Sequence, residues 1–108
     1  MKNILMAFAL LFACSSSFAK DVLTKASFKV SGNCEMCKER IEKAAFVNGV
    51  KKAEWNEVSN IMSVVFAPSK ISLDSIKQRI ADAGYDTDSI KTTDAAYSKL
   101  PQCCQYKK

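Results

Sequence analysis

The 108-residue sequence has no histidine, two prolines, three glycines and one tryptophan. Without histidine it cannot build a Cys2His2 finger, a serine or cysteine triad, or a histidine metal triad. Charge is also unremarkable. Sixteen Lys plus Arg against 11 Asp plus Glu give a net +5, spread along the chain. No block of five like charges marks a nucleic-acid tail. The main apolar run covers residues 4–13. That is well short of the ~20 residues a membrane-spanning helix needs. What the chain does have is sulfur: Cys14, Cys34, Cys37, Cys103 and Cys104.

The first residues read as an export signal. Lys2 supplies a positive start, the apolar run follows, and Ser17 and Ala19 sit at the small-residue positions of a cleavage site. The pattern predicts a signal peptide over residues 1–19, cut after Ala19. Leu11-Phe12-Ala13-Cys14 also resembles a lipoprotein box, in which Cys14 would carry lipid. Either route exports the domain to the periplasm or cell envelope, where thiol oxidation becomes a live question. Cys14 is then the only expected membrane contact.

The remainder reads as two similar halves followed by a tail. Residues 24–30 alternate, with Ala26, Phe28 and Val30 on one face, as a half-buried strand does. From Cys37 the period turns helical, through Ile41, Ala44 and Ala45, and Asn48-Gly49 is expected to end that helix. Residues 50–56 read as a strand carrying Val50, Ala53 and Trp55, and residues 61–67 as another carrying Met62, Val64 and Phe66. Ser72 is a good cap for a second helix, whose stripe is Leu73, Ile76, Ile80 and Ala83 and whose stop is Gly84. Residues 85–90 make a short fourth strand. The order predicts a ferredoxin-like α+β sandwich, with a four-stranded antiparallel sheet and two helices on one face. The domain would occupy residues 20–91 and the tail residues 92–108.

The chemistry concentrates in Cys34-Glu35-Met36-Cys37, where the first strand runs into the first helix. The free N–H groups and dipole of a helix start stabilise a thiolate. A thiolate is both a soft-metal ligand and a nucleophile, so spacing alone leaves metal binding and redox exchange open.

The segment from Ser31 through Cys34 and Cys37 to Ala44 resembles the heavy-metal-associated domain family. So do Val47-Asn48-Gly49-Val50 and Ile80-Ala81-Asp82-Ala83-Gly84-Tyr85. That family includes copper chaperones, modules of metal-exporting P-type ATPases and a periplasmic mercury-binding protein. The resemblance implies one soft ion, preferably Cu(I) with Hg(II) or Zn(II) as alternatives, held by Cys34 and Cys37. It implies capture, buffering or transfer to a metal-accepting protein domain by a monomer that is not an enzyme. It also sets Tyr85 beside the metal loop, although a core aromatic is an equal reading. Gly32 stands where the family usually has a Met that anchors the loop. Met36 is expected to pack inward in its place. Asn33 lacks the charge of the Asp common in zinc-type modules, which favours a soft ion.

The tail carries Cys103-Cys104. Three readings stand: extra ligands that complete a site with Cys34 and Cys37, a disulfide with that pair, or loose thiols on a frayed end. Lys38, Lys43, Lys51 and Lys52 read as a solvated face that could also steer docking to an acidic partner. The rival function is a thiol–disulfide oxidoreductase using Cys34 and Cys37. No Trp-Cys-Gly-Pro-Cys segment supports it, and Pro68 and Pro101 do not fit that layout.

Overall fold

The computed structural model describes residues 22–107. The expected signal sequence and Cys14 lie outside them. Strands β1 (Thr24–Lys29), β2 (Val50–Trp55) and β3 (Ile61–Phe66) form an antiparallel sheet in the order β1-β3-β2. Helices α1 (Glu35–Ala45) and α2 (Leu73–Asp82) share one core with it. On β3 the alternation holds, with Met62, Val64 and Phe66 buried. On β2 it breaks, because the register slips between Val50 and Lys52. That bulge explains how Val50 and Trp55, five residues apart, both reach the core.

The sheet has three strands among the described residues, not the expected four. Residues 85–90 contribute an isolated bridge from Thr87 to Val30 and the Ser31 N–H bond to the Asp86 carbonyl at 2.9 Å. The physical reason lies in the next three residues. The Thr87 N–H donates to the Ile90 carbonyl (2.8 Å), and the Ile90 N–H returns to Thr87 Oγ1 (2.8 Å). Asp88 turns outward to the Lys77 ammonium at 3.0 Å. The chain reverses on itself instead of continuing along β1.

The helix ends differ from each other. Ser72 Oγ accepts the Ser75 N–H at 3.1 Å, and Gly84 takes φ +110° after α2, as its sequence predicts. Helix α1 stops earlier than expected, at Ala45, through Phe46 at φ −84°. Gly49, at φ +98°, serves the turn into β2 rather than the helix end.

Trp55 is fully buried and holds this end of the sheet. Its indole N–H donates to the Val30 carbonyl at 3.0 Å. Its backbone is held by α1. The Trp55 N–H donates to Glu42 Oε2 (2.9 Å), and the Lys38 ammonium donates to the Trp55 carbonyl (3.0 Å) while pairing with Glu42. Thus β2, an edge strand, has its last residue tied to a helix. Lys38 is a structural cation here, whereas Lys43, Lys51 and Lys52 are exposed.

The tail packs onto the domain. Helix α3 (Asp94–Ser98) is capped by Thr93 and leads to Leu100, which is buried against Gly84. A 3-10 turn, Gln102–Cys104, lies against α1. Tyr106 stacks on Tyr85 with centroids 5.9 Å apart and meets Tyr97 edge-on at 5.1 Å.

A Cβ on Gly32 would stand 2.9 Å from the Trp55 ring and 3.2 Å from Ile41. The indole therefore fills the space above the loop. Gly32→Ala is expected to destabilise the domain by about 1–3 kcal/mol, the usual cost of overpacking, read as a lower urea midpoint at unchanged m-value. An unchanged midpoint would mean that the ring yields freely.

Candidate metal site

The cysteine loop is positioned from three sides. Behind it, Trp55 fills the space above Gly32. Before it, Ser31 is bonded to Asp86. After it, Cys34 is the N-cap of α1 in extended conformation, so its sulfur lies at the open N-terminal end of the helix.

Cys37, one turn in, is completely buried, and Cys34 is half-buried. Their sulfurs are 3.5 Å apart. The Cys37 thiol donates to Asn33 Oδ1 at 3.1 Å. The two differ electrostatically. The Cys37 backbone N–H, directed toward Cys34 although short of a formal capping bond, holds the Cys34 thiol below its usual range. Desolvation pushes the Cys37 thiol up to about 11. Of the two sulfurs, Cys34 is the easier to ionise.

The tail adds a third sulfur. Cys104 is fully buried, and its Sγ lies with those of Cys34 and Cys37, all within 4.8 Å of one another. Burial raises its thiol as well. Thiolate bonds to zinc are about 2.3 Å long, which puts three sulfurs around one ion about 4 Å apart. The 3.5 Å contact and the 4.8 Å limit bracket that spacing. All four described cysteines are free thiols.

Cys103 does not join them. It is exposed, with its Sγ 3.8 Å from Cys104 Sγ and 3.5 Å from Met36 Sδ. Met36 does not pack inward as expected. It is 49% exposed, because the Trp55 indole already occupies the space at Gly32.

Tyr85 is fully buried, and its hydroxyl has no hydrogen-bond partner. Burial pushes that hydroxyl far above its ordinary range, followed by the effects of the adjacent Cys104 and Cys37 sulfurs. It remains a donor. A neutral thiol is a weak acceptor and a thiolate a strong one. An orphaned donor beside these sulfurs fits a site whose working state is thiolate.

Sequence reasoning singled out Cys34 and Cys37 and left Cys103 and Cys104 among three alternatives; the structure brings Cys34, Cys37 and Cys104 together. Sequence reasoning missed Trp55 as the loop's support and Tyr106 as the tail's anchor. The one available signal for Trp55 was the absent side chain at Gly32.

The heavy-metal-associated domain family matches residues 27–86. This chain belongs to that family. A curated relative, the copper chaperone CopZ of Staphylococcus epidermidis RP62A, is 38% identical over 66 residues, 59% of this chain and 97% of the relative. Among solved structures, one is the N-terminal domain of a potential copper-translocating P-type ATPase from Bacillus subtilis in the Cu(I)-loaded state. It is 29% identical with a TM-score of 0.58, over 67% of this chain and all of that one. Oxidised MerP from Ralstonia metallidurans CH34 is 28% identical with a TM-score of 0.58, over 62% of this chain and 96% of that one. The family match ends at residue 86, so the buried Cys104 of this heavy-metal-associated protein lies beyond it.

The ionisation contrast gives a test on reduced, metal-free protein. At pH 8, iodoacetamide is expected to label Cys34 and the exposed Cys103 well before Cys37. Cys37 should react only as the pH approaches 11 or as the chain unfolds. The same shift sets a stability trend. Below pH 9 both states keep the Cys37 proton. Between pH 9 and about 11 the unfolded chain releases it first, so this residue's contribution to stability is lost across that window. Equal labelling of Cys34 and Cys37 at pH 8, read by peptide mass mapping, would contradict the contrast.

Proposed function

We propose that this protein carries one Cu(I) ion on Cys34 and Cys37, capturing or buffering it and passing it to a metal-accepting protein domain. The observation that carries this reading is the sulfur pair itself. Its atoms are 3.5 Å apart at a helix start, with one sulfur accessible and predisposed to ionise. Soft thiolates favour Cu(I), and the neutral Asn33 supplies no hard anionic ligand. The copper names of the relatives support the same ion. Hg(II) and Zn(II) are the competing cargoes.

The protein acts as a monomeric carrier rather than a catalyst. A half-exposed ligand suits it to ligand exchange, in which an incoming thiol attacks the ion from the Cys34 side. We further propose that residues 1–19 direct export, with Cys14 as an alternative lipid anchor. The domain then comprises residues 20–91 and works in the periplasm or cell envelope, and its acceptor stands on the same side of the membrane. No helix among the described residues is long and apolar enough to cross one.

Anaerobic titration with Cu(I), followed by native mass spectrometry, should show one ion per chain. The double variant Cys34→Ser/Cys37→Ser should lose that stoichiometric binding. Unchanged stoichiometry in the variant would sink the proposal. Turnover of the parent in an insulin-reduction assay would move the assignment to thiol–disulfide exchange.

A further inference from the structure

We propose that the tail supplies the third ligand. Cys104 completes a three-sulfur site with Cys34 and Cys37, and the segment that carries it covers the buried side of the ion. This rests on the reading that Cys34 and Cys37 bind the metal.

Two independent observations point there. The first is placement. A C-terminal cysteine on a frayed end would be exposed, yet Cys104 is fully buried with its sulfur among those of the loop. The second is the Tyr85 hydroxyl, fully buried and without a partner beside Cys37 and Cys104. A thiolate, formed when these sulfurs bind a metal, is a stronger acceptor for it than a thiol.

The tail is held by specific bonds rather than by loose apposition. The Tyr106 hydroxyl accepts the Asp86 N–H at 2.9 Å and donates to the Gly84 carbonyl at 3.0 Å. Asp86 also accepts the Thr92 N–H at 2.8 Å and pairs with Lys107 at 3.5 Å. The segment that bears Tyr85 therefore carries the anchor for the residues around Cys104. Cys103, turned toward Met36, stays outside the site. On binding, the thiol protons leave to solvent and no electrons move.

The full reduced chain, given one equivalent of Cu(I) anaerobically, is read by X-ray absorption for sulfur number and by competition with a chromogenic chelator for affinity. The parent and Cys103→Ser should show three sulfurs. Cys104→Ser should still bind one ion, with two sulfurs and an affinity lower by on the order of tenfold or more, about 1.4 kcal/mol per decade. Two sulfurs in the parent, or three in Cys104→Ser, overturn the inference and leave the Cys34–Cys37 reading standing. Copper retained by Cys34→Ser/Cys37→Ser would instead remove the reading beneath it.

If Cys104→Ser does not fold, as the fluorescence of Trp55 reports, Tyr106→Ala carries the test, because it frees the tail and keeps every sulfur. It should lower the sulfur number or the affinity, and parent-like values for both overturn the inference.

Discussion

The sulfur site depends on how Val30 is held. Its N–H donates to the Asn60 carbonyl at 2.9 Å, and its carbonyl accepts the Trp55 indole at 3.0 Å. It also bridges Thr87, while Ser31 beside it bonds Asp86. One buried residue at the end of β1 thus fixes two segments at once. One leads forward to Cys34 and Cys37. The other runs through Gly84, Tyr85 and Asp86, to which the tail is fastened. Cys104, distant in sequence, meets Cys34 and Cys37 because the loop and the segment that anchors the tail are both bonded at this junction.

The site divides its sulfurs by burial. Cys37 and Cys104 are dry and hold their protons, while Cys34 sits at the helix start and is the easier to ionise. Desolvation alone would make all three reluctant ligands. The helix N-terminus reverses that at one position, the half-exposed Cys34, where on the proposed carrier reading an incoming ion or acceptor thiol makes first contact. Accessibility and nucleophilicity coincide on one atom, an order of events that a uniformly buried or uniformly exposed site could not impose.

Much of this was legible in the sequence. The strand-to-helix position of Cys34 and Cys37 followed from periodicity, and Ser72 and Gly84 marked the ends of α2 through their own chemistry. The failures have common physics: each is a tertiary contact between residues far apart in sequence. The fourth strand gave way to a turn closed by Thr87 on Ile90, which propensity does not encode. Met36 was expected inward because Gly32 left a gap, but Trp55, on another strand, fills it. Lys38 read as solvated, yet it is committed to Glu42 and the Trp55 carbonyl. The tail was hardest to read, because its anchors, Tyr106 on Gly84 and Asp86 and Leu100 against Gly84, are polar and packing contacts without periodicity.

A tethered third ligand changes what release requires. A thiol held on the same chain faces the ion at an effective concentration in the millimolar range or above, the scale for a short linker. Here the segment is packed rather than flexible, so little ordering entropy remains to be lost when the sulfur engages. On the proposed carrier reading, an acceptor thiol replaces Cys34 first, from its half-exposed side. It must also part the ion from Cys104, which is as buried as Cys37 and is carried by the packed tail. Opening of that segment, held by the two bonds of the Tyr106 hydroxyl to Asp86 and Gly84, would then help to set how long the ion stays.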